Sequence, residues 1–137
     1  MILAMEVKEK AIGKARPRYS KYATYTPKKT KDFEEMIKWN FIKKAKKDGV
    51  FQEPSLKPIS VKIEIEIIPP KSVSRKTFIM LKGKPHICRP DVDNIEKAIL
   101  DALNGIAYKD DNQVYELYAR KRYGEEDRIV IVLQEYV

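Results

Sequence analysis

Val61-Lys62-Ile63-Glu64-Ile65-Glu66-Ile67 alternates apolar and charged residues without a break. Successive side chains of an extended chain point to opposite faces, so this stretch predicts a strand with one face in the core. Pro69-Pro70 closes it, since proline cannot donate to a ladder. Working toward the N-terminus, Phe33, Met36, Ile37, Phe41 and Ala45 recur at helical spacing and predict a helix over residues 27–47. Thr26 is suited to cap its free N–H groups, Pro27 to open its first turn, and Asp48-Gly49 to stop it. Working toward the C-terminus, Ile95, Ala98, Ile99, Ala102 and Leu103 fall on one helical face. They predict a second helix from Asp93 or Asn94 to about Asn104, ended by the Asn104-Gly105 pair. A first strand is expected within residues 2–12. Two last strands are expected over 113–122 and 128–136, joined by a turn at Gly124-Glu125-Glu126-Asp127. Residues 71–90 read as basic and irregular, with Phe78-Ile79-Met80-Leu81 a candidate short strand. The expected fold is α+β, a small mixed β-sheet with two helices packed on one face, in a single domain over 1–137.

The chain has 137 residues, room for one domain with a real core and too few for two ordinary ones. No apolar run approaches the roughly 20 residues of a membrane span, and Met1–Met5 is too short for a signal-peptide core. The single cysteine, Cys88, excludes an internal disulfide and a multi-cysteine zinc site, and points to the cytoplasm. Lys and Arg total 28 against 20 Asp and Glu, a net charge of +8. Such an excess either serves solubility or attracts a polyanion, and nucleic acid is favoured over membrane because no basic amphipathic helix with a bulky apolar face is present.

Against this basic background stand two acidic pairs, Asp91 with Asp93 and Asp110 with Asp111. If residues 91–93 are extended, alternation sends both carboxylates to one side. The intervening helix, about 18 Å long, lets the chain return so that both pairs meet near one end of the sheet. Clustered carboxylates repel, and a cation relieves that repulsion. Oxygen ligands of this kind suit Mg²⁺ or Mn²⁺ better than zinc or copper. One or two such ions can bind a phosphodiester and activate an attacking water.

Each residue also has a plainer reading. One of Asp93 and Asn94 is expected to cap the second helix, a role worth about 1 kcal/mol. Asp110-Asp111-Asn112 reads equally as a solvated turn. Lys97 lies four residues after Asp93 and four before Asp101, placing it for ordinary helix ion pairs or for stabilising charge on a phosphate. An EF-hand fails because its sixth position would be Glu96 instead of glycine. His86 and Cys88 supply two ligands, too few for zinc, and His86 reads as a surface or loop residue. Neither a Walker-type phosphate loop nor a nucleophile elbow is present.

Arg89-Pro90-Asp91-Val92-Asp93-Asn94-Ile95, Lys97, Asp101-Ala102-Leu103-Asn104-Gly105 and Asp110-Asp111-Asn112-Gln113-Val114 together resemble the signature of the RusA family. These are Holliday-junction resolvases, crossover-junction endodeoxyribonucleases often carried by phages and prophages. Weaker similarity extends to Arg16-Pro17-Arg18 and Tyr25-Thr26-Pro27, and a carboxy-terminal hairpin is expected from the family. The resemblance implies metal-binding catalytic carboxylates at Asp91, Asp93 and Asp111, assisted by Asp110, with Lys97 as the important lysine. It also implies a homodimer, since symmetric cutting of a four-way junction needs two sites about a two-fold axis. The long basic segment 71–88 departs from the shortest members and bears on how DNA is gripped.

The expectation is therefore a Mg²⁺-dependent endodeoxyribonuclease, with Mn²⁺ able to substitute, that resolves four-way DNA by paired symmetric nicks in recombination and repair. Arg16, Arg18, Lys71, Arg75 and Lys76 are candidate phosphate contacts, with Lys28 and Lys29 beside them, and Tyr19, Tyr22 and Tyr25 are candidates for base stacking or for packing. The rivals are a basic module that holds branched DNA without cutting it and a nuclease acting on flaps or forks.

Overall fold

A strand at Ile59–Ile67 (β4, numbered in chain order) runs through the middle of the sheet. Ile59, Val61, Ile63, Ile65 and Ile67 are buried on one side, while Lys62 is exposed and Glu64 and Glu66 are half-exposed on the other. In a computed structural model, residues 1–15 and 27–137 are described in full. Between them only the backbone of two short paired strands is described, Arg18–Tyr19 (β2) and Thr24–Tyr25 (β3).

The remaining elements are β1 (Ile2–Val7), α1 (Lys28–Asp48), α2 (Arg75–Leu81), α3 (Val92–Leu103), a 3-10 turn at Asp111–Gln113, β5 (Val114–Tyr123) and β6 (Arg128–Glu135). The main sheet has the order β1-β6-β4-β5, with β4 and β5 parallel and the other pairs antiparallel. α1 and α3 pack together over its buried face, α1 through Phe33, Ile37, Phe41 and Ala45. α3 contributes Ile95, Ala98, Ile99, Ala102 and Leu103, the predicted stripe. The α+β fold is thus as expected.

Four local expectations are corrected. First, β5 and β6 do not form a hairpin, because β4 lies between them. The connection must therefore span two inter-strand spacings, roughly 10 Å, which a two-residue turn cannot do. It crosses the end of β4, where Gly124 N–H donates to Ile67 O at 3.1 Å and Asp127 Oδ1 accepts from Ile68 N–H at 3.1 Å. A Cβ on Gly124 would stand 3.0 Å from the Cβ of Glu66, so this crossing is tight for any side chain.

Second, Phe78–Leu81 is helical, not extended. Ser74 caps α2 by accepting from Thr77 N–H at 3.1 Å, a start signal more decisive than a four-residue apolar run.

Third, α3 starts earlier than expected, with Asp91 at its N-cap position and no side-chain cap bond, so neither Asp93 nor Asn94 caps it. Pro27 likewise occupies the cap position of α1, and Thr26 lies outside the described residues. Gly49 does end α1 in the left-handed region, at φ 69°, whereas α3 ends at Asn104, already extended, with Gly105 (φ 79°) one residue beyond it.

Fourth, His86 lies in a loop as expected but is buried there instead of at the surface, packed on Tyr123 with ring centroids 4.8 Å apart. It is carried there by a backbone bond to Lys121 O at the edge of β5.

Candidate metal centre and nucleic-acid interface

α3 carries the acidic segment. Its buried stripe fixes the helix, and the first turn holds Asp93 while Asp91 stands extended just ahead of it. Because the chain is helical from Val92, the strand-type alternation expected to align Asp91 with Asp93 does not apply. Asp93 Oδ1 accepts from Asn94 N–H at 3.0 Å. The approach to this turn is pinned by Lys121 of β5, whose ammonium donates to Cys88 O and Pro90 O at 2.7 Å each. Burial, and then the charge of Asp93, raises the Glu96 carboxyl above its ordinary range.

The second acidic pair sits on the turn that leads into β5. Asp110 and Gln113 form a reciprocal capping box: Asp110 Oδ1 accepts from Asn112 N–H at 3.0 Å, and Gln113 Oε1 accepts from Asp110 N–H at 2.9 Å. Gln113 Nε2 also ties the turn to Ser55 O at 2.8 Å. The turn's charges act on Lys97 and Asp101 of α3. The Asp111 carboxyl is raised by burial and by its hydrogen bond to Asp110, with Asp110 and Asp101 adding repulsion and Lys97 opposing it. Lys97 donates to Asp101 at 2.9 Å, and that bond, with the charges of Asp101 and Asp111, raises its ammonium.

The structure therefore brings Asp110, Asp111, Lys97 and Asp101 into one electrostatic neighbourhood, with Asp91 and Asp93 toward the start of the same helix. Among the described residues no three acidic, histidine or cysteine side chains come close enough together to hold one ion. The donor chemistry nevertheless suits a hard divalent cation, because every candidate ligand is a carboxylate.

Two residues here escaped the sequence reading. Lys14 is half-buried and pairs with Glu34 of α1 at 2.7 Å and with Asp101 at 3.2 Å. Burial pulls its ammonium down, yet these two partners outweigh it and the net shift is upward. Nothing in local spacing links residues so far apart in the chain. Tyr108 is fully buried and donates to Leu100 O at 2.7 Å. Burial, followed by the charges of Asp111, Asp101 and Asp110, pushes its hydroxyl upward, which places it beneath the acidic group. Its aromatic ring beside Ala107, directly before a polar run, was the available signal.

Of the candidate DNA contacts, Lys71, Arg75 and Lys76 are exposed before and at the start of α2, and Lys28 and Lys29 are exposed at the start of α1. Arg16, the Arg18 side chain and Tyr19, Tyr22 and Tyr25 lie outside the described residues. No helix among the described residues is long and apolar enough to cross a membrane.

Comparison with known proteins adds a decisive observation: the family described as Endodeoxyribonuclease RusA matches residues 9–134. The chain belongs to the RusA family. The matched region starts just after β1, reaches into the last strand and so contains both acidic pairs, Lys97 and Lys14 of this RusA-family chain. "Uncharacterized protein YqaN" of Bacillus subtilis (strain 168) is 39% identical over 82 residues. That similarity covers 57% of this chain and 58% of YqaN, so less than two thirds of that relative's length is matched.

Proposed function

We propose that this chain is a Mg²⁺-dependent endodeoxyribonuclease that resolves Holliday junctions by paired, symmetric nicks. The observation that carries the reading is the RusA match over residues 9–134, which embraces every acidic residue of the candidate centre. Asp91, Asp93 and Asp111, with Asp110, are proposed as ligands of the divalent cation; no three of them stand close enough together here, so holding the ion requires them to converge on it. When bound, such an ion supplies Lewis-acid polarisation of the phosphodiester and a more acidic water.

The protein's own contribution is positional and electrostatic. α3 is anchored by five buried residues, so Asp93 and Lys97 ride on a rigid support. The Lys97 ammonium, held by Asp101 and acted on by the charge of Asp111, is suited to offset negative charge developing on a scissile phosphate. The +8 chain attracts the DNA backbone, and Lys71, Arg75 and Lys76, with Arg16 and Arg18, are proposed as phosphate contacts. Two copies related by a two-fold axis would present two such centres to the two equivalent strands of a junction.

The test is cleavage of a synthetic four-way junction beside its linear arms, with Mg²⁺ and with chelator. Paired nicks placed symmetrically across the junction, present only with metal, are expected. Tight binding with no cutting at any divalent metal would replace the nuclease by a branched-DNA-binding module. Equal or better cutting of flaps or forks would move the substrate assignment.

A further inference from the structure

Lys97 stands midway between two carboxylates on its own helix, Asp93 one turn before and Asp101 one turn after. In an isolated helix the acid-before-lysine pair is the better of the two orders, so intrinsic preference favours Asp93. The structure shows the reverse choice. Lys97 donates to Asp101 at 2.9 Å, and Asp93 forms no ion pair among the described residues. A tertiary cause is visible at Asp101, which is only 22% exposed and is held from its other oxygen by Lys14 at 3.2 Å. Lys14, itself 20% exposed, is fixed in turn by Glu34 of α1 at 2.7 Å and by a backbone bond from its own N–H to Asn94 O at 2.8 Å. Glu34, Lys14, Asp101 and Lys97 thus form a chain of alternating charge. It runs from α1 through Lys14, in the segment that follows β1, to α3.

We propose that Asp101, anchored by Lys14, is a positioning residue that draws Lys97 off Asp93, leaving that carboxylate free for the metal. The inference rests on the metal-dependent reading above and assigns Asp101 and Lys14 a role distinct from ligation. If Asp101 is neutralised, the helix geometry hands Lys97 to Asp93, where an internal ammonium competes with the cation.

Mn²⁺ binding to the full chain, read by electron paramagnetic resonance without DNA, tests this. Asp101→Asn is expected to bind Mn²⁺ about fivefold more weakly than the unmodified chain, the scale of a half-screened ion pair. The loss should vanish when Lys97→Met is made in both members of the comparison. Circular dichroism checks folding. If Asp101→Asn does not fold, Asp101→Gln, a second neutral variant with higher helix propensity, carries the same comparison and is expected to give the same loss, again disappearing with Lys97→Met.

Unchanged Mn²⁺ affinity in the folded variant overturns the proposal. So does an equal loss with and without Lys97, which would make Asp101 a ligand or a purely structural residue. A chain that binds Mn²⁺ but cuts no junction overturns the nuclease reading alone, and the Lys97 comparison still decides this one. A chain that binds no Mn²⁺ overturns both.

Discussion

α2 and α3 are two short helices on either side of the Lys82–Pro90 segment, and they are held in opposite ways. α3 buries five residues in the core, whereas α2 buries none and leaves Ile79 and Met80 at 63% and 56% exposure. α2 depends on its Ser74 cap and on backbone bonds that follow it. There Gly83 N–H donates to Tyr123 O at 2.8 Å and Tyr123 N–H to Lys84 O at 2.9 Å. Short helices draw most of their stability from packing, so only α3 can hold side chains to the tolerance that bond chemistry requires. A basic helix with little packing can still serve phosphate contacts, which need charge more than exact geometry.

The largest expected effect that sharpens this contrast is catalytic. Asp93→Asn or Asp91→Asn should lower junction cleavage on the order of 10³-fold, the scale of losing a principal electrostatic group at a reacting centre. Junction affinity should hold or rise, because removing a negative charge lessens repulsion of phosphate. Full cleavage in either variant would remove the metal assignment from α3. Next comes packing. Ile99→Ala, at a fully buried position, should cost about 2–5 kcal/mol in denaturant unfolding. Ile79→Ala in α2 should change stability by less than about 0.5 kcal/mol. Equal costs would mean that α2 is packed in solution in a way its exposure does not convey.

The same contrast explains what was legible in the sequence. Val61–Ile67 and the stripe from Ile95 to Leu103 were readable because burial on one face imposes a period on residue choice, and both elements appear where that period puts them. α2 has no buried face, hence no period, and only the Ser74 cap announced it. Strand order was hidden for another reason. A four-residue link at Gly124–Asp127 is compatible with a hairpin or with a bridge over β4, and the choice depends on the distant strand that fills the gap. Of the candidate site, Asp91, Asp93, Lys97 and Asp111 stood out in the sequence as a motif, and the helical ion pair Lys97–Asp101 that its spacing allowed is present. Lys14 was not legible, because its partners come from α1 and α3 and no local spacing encodes them.

The smallest expected effect concerns α2 as a DNA-binding element. Replacing Lys71, Arg75 and Lys76 together by alanine removes three exposed cations and no core atom, so the melting temperature should barely move. Junction binding should weaken at low salt, and the slope of log affinity against log salt should become shallower by about 0.9 for each phosphate no longer neutralised. Cleavage under saturating junction should stay near its starting rate, since α3 and its carboxylates are untouched. A steep fall in that saturated rate would mean that α2 positions the scissile strand as well as attracting it. Its attachment through Gly83, Lys84 and His86 to the strand that bears Lys121 would then connect it directly to the approach to Asp91.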